Sequence, residues 1–195
     1  GCELKGVQID TRVPQITQVE VLENDADKGY ITYRVEPQAR YKIVDGRFIT
    51  YGNNWEMQPC AGIAFDGKTG HLVYRTSDIA VGVSDVEEVE PYVIKAPWRD
   101  ERLIPGTFVA MRSYYRPTPG IFLSACKNIK LENVVVHYAE GMGLLAQTCE
   151  NIDLSYFSVA PRKGSGRFYT TQADATHFSS CKGIINSEKG YYSGM

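Results

Sequence analysis

GIFLSACKNIKLENVVV (120–136), GLLAQTCENIDLSYFSV (143–159) and ATHFSSCKGIINSEKGY (175–191) align as three copies of one phrase. Each carries Cys, a charged residue, Asn or Gly, and then an apolar residue. The cysteines recur at 149 − 126 = 23 and 181 − 149 = 32 residues. A period of roughly 20 to 50 residues is the mark of a solenoid. Val, Ile, Leu, Phe and Tyr alternate with polar residues, so the units are strands rather than helices. Leucine-rich repeats place Asn after the leucines, whereas Asn128 and Asn151 precede the Ile-x-Leu here. The expected fold is all-β, a parallel β-helix in which each strand stacks on its copy one turn away.

Three columns follow from that stacking. Cys126, Cys149 and Cys181 are expected to point inward, since free Cys is commonly a small buried hydrophobe. Asn128 and Asn151 are expected at a corner, where Asn tolerates left-handed backbone and bonds locally. Gly183 takes the same place in the third phrase and meets the same demand.

LKGVQID (4–10) repeats the cadence of CKNIKLE (126–132) and CKGIINS (181–187). One coil is therefore expected over 4–13, broken off and resumed in coils over 117–195. The stretch 14–116 differs in character. Its strand candidates are ITQVEVL, GYITYRV, YKIV, RFITY, HLVYR, PYVIK and TFVAM, with turns at DG (45–46) and DGKTG (66–70). Short strands with turns between them suggest a small antiparallel barrel or sandwich, read here as a domain inserted into the β-helix. No helical pattern is found. The chain reads as cut from something longer, with its last coil truncated.

Lys plus Arg is 21 and Asp plus Glu is 23, a net charge of −2. Nucleic acid and anionic membranes call for a clustered basic excess, so neither is an expected partner. No apolar run approaches the ~20 residues of a membrane span. Five cysteines, an odd number without CxxC spacing, argue against a closed disulfide framework and against a zinc pattern. Nothing calls for a metal or other cofactor.

The candidate chemistry lies in TTQADATHF (170–178). Counting back seven from each cysteine gives Pro119, Met142 and Asp174; counting back four gives Phe122, Leu145 and His177. The third coil thus places an acid and an imidazole where the coil below has Met and Leu. The extra residues of APRKGSGRF (160–168) are expected to overhang these positions, and a polar patch beneath a loop resembles a carbohydrate groove. The plain alternative is a turn-capping Asp and a surface His. Glycoside hydrolysis needs two carboxyl groups. Glu150 and Asp153 read as solvated surface, which leaves Glu140, in HYAEGMG, as the nearer partner, one coil below Asp174. Trp98, in PWRDER, is expected to anchor a charged loop.

The run from GIFLSACKN to HFSSCKG, and VQIDTRVPQITQVEV with YKIVDGRF before it, resembles the α-1,3-galactosidases of glycoside hydrolase family 110. The resemblance covers nearly the whole chain, and ADATHF with the later CKG is its specific part. It implies a right-handed parallel β-helix with a small inserted barrel. It implies metal-independent, inverting hydrolysis of terminal α-1,3-linked galactose, in bacterial enzymes that are secreted or periplasmic. Asp174 matches an essential aspartate of that family, with Gln172, His177 and Glu140 as candidate substrate contacts. The family's Asp-Asp pair, one coil later, would fall beyond Met195. The competing expectation is a non-catalytic fragment that binds glycans or self-associates through open strand edges.

Overall fold

The computed structural model describes residues 1–193; positions 194 and 195, the last of the expected 117–195 region, lie outside the described residues. Among the described residues all regular structure is β-strand. The chain divides into two compact units, one made of Gly1–Arg12 with the chain from Tyr115 onward, the other of Val13–Tyr114.

The first unit consists of three parallel ladders. Cys2–Lys5, Lys127–Glu132, Glu150–Ser155 and Lys182–Glu188 stack in that order. Gln8–Ile9, Val135–Val136, Ser158–Val159 and Tyr191–Tyr192 form the second ladder. Ile121–Ser124, Leu144–Gln147 and Thr176–Ser179 form the third. Residues in register occupy the same face, so apolar positions in each phrase become columns: Ile129 beside Ile152, Leu131 beside Leu154, Val136 beside Val159. These columns enclose a core that includes Val134, Ala146, Cys149 and Phe157. Cutting a core residue such as Leu154, 1% exposed, to Ala is a change of the kind that costs about 2–5 kcal/mol.

The cysteines line this core. Cys149 is fully buried, and Cys126 and Cys181 pack against the same cluster. Each thiol donates to the carbonyl two residues earlier: Cys126 to Ser124 at 3.3 Å, Cys149 to Gln147 at 3.2 Å, Cys181 to Ser179 at 3.6 Å. The corner residues Asn128, Asn151 and Gly183 have φ of 55°, 57° and 75°. Asn151 Nδ2 donates to Asn128 Oδ1 at 3.0 Å, and its Oδ1 accepts from the Ile184 N–H at 3.0 Å. Asn thus supplies both a left-handed backbone and a rung-to-rung bond.

Two details of the expected alignment are corrected. LKGVQI does not lie against CKNIKL. Leu4 pairs with Leu131 and Lys5 with Glu132, while Gln8 pairs with Val135 and Ile9 with Val136. Gly6, at φ 68°, therefore belongs with Asn133, at φ 52°. Each full coil has three left-handed positions, such as Ala125, Asn128 and Asn133; the last two are set in similar sequence, and the cadence alone does not tell them apart. In the third phrase Ile185, not Ile184, is the partner of Ile152; the register shifts there by a bulge, and Ile184 is left 73% exposed.

The second unit carries a six-stranded antiparallel sheet, in the order Ala61–Asp66, Thr107–Arg112, Thr17–Asp25, Tyr30–Val35, Val93–Pro97, Glu87–Glu90. A three-stranded sheet of Tyr41–Val44, Arg47–Tyr51 and Glu56–Met57 accompanies it. Asp45 and Gly46, at φ 50° and 71°, make the two-residue hairpin turn that positive φ at both central positions requires. HLVYR is not a strand; only Leu72 forms an isolated bridge, to Phe65. Trp98 is buried in the core, edge-on to Tyr33 at 6.0 Å, and anchors its loop.

Candidate active site

Asp174 lies on the return segment that leads from the second ladder back to the third. Thr171 bridges Ala139 in parallel, and the Gln172 N–H donates to the Ala139 carbonyl at 3.2 Å. The Asp174 carbonyl accepts from Gly143 N at 3.0 Å, and the Ala175 carbonyl from Leu144 N at 3.0 Å. A Cβ on Gly143 would lie 2.5 Å from the Ala175 oxygen, so this close approach of the backbones requires glycine. The segment enters Thr176–Ser179 only after Asp174. The aspartate thus sits in the bend before the strand, not in it, and the apparent conflict between Asp and β-structure disappears.

His177 is in that strand, in register with Leu145 and, one rung further, Phe122. Its Nδ1 lies 2.8 Å from Asp174 Oδ2. A carboxylate oxygen accepts, so Nδ1 carries the proton. The two side chains are 58% and 43% exposed. The result is an oriented carboxylate open to solvent.

The other sequence candidates divide. Gln172 is fully buried and donates through Nε2 to the Glu140 carbonyl at 3.3 Å; its side chain braces the chain at Glu140 instead of facing solvent. Glu140 is half-buried, and burial pushes its carboxyl above the ordinary range. It lies one rung from Gln172; the residue one rung below Asp174 is Met142, as the register of Leu144 with Thr176 and of Ala139 with Thr171 requires. Glu150 and Asp153 lie on a different ladder from His177. Lys127, at 3.1 Å, lowers the Glu150 carboxyl, and Asp153 accepts from Ser155 Oγ at 3.1 Å.

The 160–168 loop is tied down by a cluster the sequence reading missed. Arg162 Nε and Arg167 Nη1 donate to Asp10 at 2.7 and 2.8 Å. Asp10 and Arg167 side chains are 15% and 9% exposed. Burial raises the Asp10 carboxyl, but the two guanidinium groups outweigh it and hold the pKa below the ordinary value. Two of the basic side chains expected to overhang Asp174, Arg162 and Arg167, are thus engaged by Asp10. The available signal was a lone Asp just after the first short strand and two Arg in the later insertion.

A family model described as GLAA-B beta-barrel domain I matches residues 17–109, which lie in the antiparallel unit. The whole chain is 56% identical to Alpha-1,3-galactosidase B of Parabacteroides distasonis and 54% identical to an Alpha-1,3-galactosidase B of Phocaeicola vulgatus, covering 32% and 33% of those proteins. It is 28% identical over its full length to Alpha-1,3-galactosidase A of Bacteroides fragilis, covering 32% of it. The chain spans about a third of the length of the curated relatives it matches. More than half of its residues are thus shared, along its entire length, with one portion of proteins named Alpha-1,3-galactosidase B, and the barrel-domain match lies inside that same stretch.

Proposed function

We propose that this chain is part of an inverting exo-glycosidase that removes terminal α-1,3-linked galactose from glycans, with Asp174 as one of its two working carboxyl groups. The observation that carries the reading is the solvent-open Asp174, held by His177 at 2.8 Å, in a chain that shares 56% of its residues with a protein named for this activity. The fold in this reading is a right-handed parallel β-helix interrupted by a small barrel. Three parallel ladders, in register but for one bulge, support the winding, and parallel crossovers are right-handed in nearly all cases.

Inversion sets the carboxyl groups about 6.5–9.5 Å apart, leaving room for water. Neighbouring parallel strands are about 4.8 Å apart, and two residues along a strand span about 6.6 Å. A carboxylate on an adjacent rung, offset by one to two residues, falls inside that window; in this reading it is supplied by a further coil, and Glu140, one rung and two residues from Asp174, meets the same condition. Glu140, carrying its raised carboxyl, is the partner if that coil supplies none. In this reading the enzyme acts outside the cytoplasm, secreted or periplasmic, where glycans are met.

The test is hydrolysis of an α-1,3-galactosyl oligosaccharide by the full-length protein, followed by NMR at early times. Release of β-galactose supports the inverting reading, and release of α-galactose overturns it. Binding without release leaves a non-catalytic glycan-binding protein.

A further inference from the structure

The third ladder has an outward face of which the proposed chemistry uses only His177. Inward side chains of its strands, Ile121, Leu123, Leu144, Ala146 and Phe178, belong to the core. The alternate positions form two outward columns. One is Phe122, Leu145 and His177; the other is Ser124, Gln147 and Ser179. Phe122 is 54% exposed, although a phenyl ring on a solvent-facing strand gains nothing from water. Among the described residues no hydrogen bond engages the side chains of Ser124, Gln147 or Ser179.

The first column thus offers a flat apolar strip and the second a row of uncharged donors and acceptors. They lie about 7 Å apart, two residues along a strand, and each runs about 10 Å over two rung spacings. A pyranose presents the same pair of surfaces, a patch of C–H bonds on one face and hydroxyls around its rim. The absence of charge from both columns up to His177 favours a neutral sugar. The strip ends at the His177–Asp174 pair.

We propose that this face is a subsite for the sugars behind the scissile bond. Phe122 and Leu145 stack against the pyranose faces, and Gln147, Ser124 and Ser179 bond the hydroxyls. The subsite rests on the reading of Asp174 as a working carboxyl, and it makes Phe122 a specificity-determining residue: it binds the part of the glycan that an aryl galactoside lacks.

The test compares two substrates with the full-length protein, an aryl α-galactoside and a neutral oligosaccharide ending in α-1,3-galactose. Phe122→Ala raises KM for the oligosaccharide about tenfold, the scale of one lost aromatic contact, and leaves the aryl substrate unchanged. Phe122→Trp retains the oligosaccharide KM. Gln147→Ala gives a smaller rise, confined to the same substrate. An unchanged oligosaccharide KM for Phe122→Ala, or an equal rise on both substrates, overturns the proposal. Asp174→Asn separates the two readings: if it retains turnover, the role of Asp174 fails while the KM split still reports on the subsite. If the full-length protein hydrolyses neither substrate, titration calorimetry with the oligosaccharide decides. Weaker binding by Phe122→Ala supports the subsite, and equal binding overturns it.

Discussion

Asp10 and Asp174 sit in the same unit and have opposite surroundings. Asp10 is 15% exposed and held by two arginines; Asp174 is 58% exposed and touches one imidazole. A carboxylate whose oxygens accept from two guanidinium groups and a backbone N–H has most of its acceptor positions filled and is held as the anion, which disfavours taking up a reacting proton. One that is oriented by a single hydrogen bond keeps an oxygen for substrate or water. The difference separates a carboxylate that fastens chain to chain from one that is available for chemistry, although sequence shows only an Asp in each case.

The comparison makes unequal predictions. Asp174→Asn in the full-length protein is nearly isosteric, so thermal stability stays close to wild type. Turnover of an α-galactoside falls about 10²–10⁴-fold, the usual worth of general acid–base catalysis. Retained turnover would make Asp174 a turn residue like any other. Asp10→Ala does the reverse. It removes the carboxylate to which Arg162 and Arg167 both donate and lowers unfolding free energy by about 1.5–3 kcal/mol, the range for hydrogen bonds to charged groups, read by urea denaturation.

His177→Ala frees the Asp174 carboxylate to rotate. Loss of a positioning bond of this kind lowers kcat about tenfold with little change in stability, measurable in the same assay. The smallest effect is in pH. Asp10 has a folded pKa below its ordinary value of 3.8, so its contribution is present above the unfolded pKa and fades as pH falls through the folded one. The stability gap between wild type and Asp10→Asn is therefore constant at neutral pH and shrinks below about pH 4. A gap that instead grew on acidification would mean that the Asp10 cluster does not stabilise the fold as an ion pair.

Legibility followed the repetition of the signal. The inward cysteines, the left-handed Asn128 and Asn151 and the Phe122–Leu145–His177 column could be read because each recurs at matched positions in the phrases. The first coil was placed five residues out because Gly6 lies at one of two corners whose flanking residues look alike. Ile184 was misaligned because one bulged residue leaves no trace in composition. In the antiparallel unit, Ala61–Asp66 was missed because its first five residues are all apolar or small and buried, with no polar alternation, and Glu87–Glu90 because an edge strand of charges resembles a loop. The Asp10 cluster joins residues 152 and 157 positions apart, a pairing that only the stacked fold brings together.

The return segment has a consequence for how such a molecule can be rebuilt. In the coil of Lys127–Glu132 the chain passes from Val136 to Leu144 with little between; in the next, the 160–168 loop enters at the same place, and in the first the whole antiparallel unit does so after Ile9. The turns at Asn128 and Asn151, by contrast, are fixed by backbone that must be left-handed and by bonds between rungs. Each turn of the chain therefore has one graft point and a corner that varies by no more than the single bulged residue beside Gly183. A foreign domain spliced at 164–165, where the glycines of the loop face open space, should leave the ladders standing, whereas the same splice at 128 should break them.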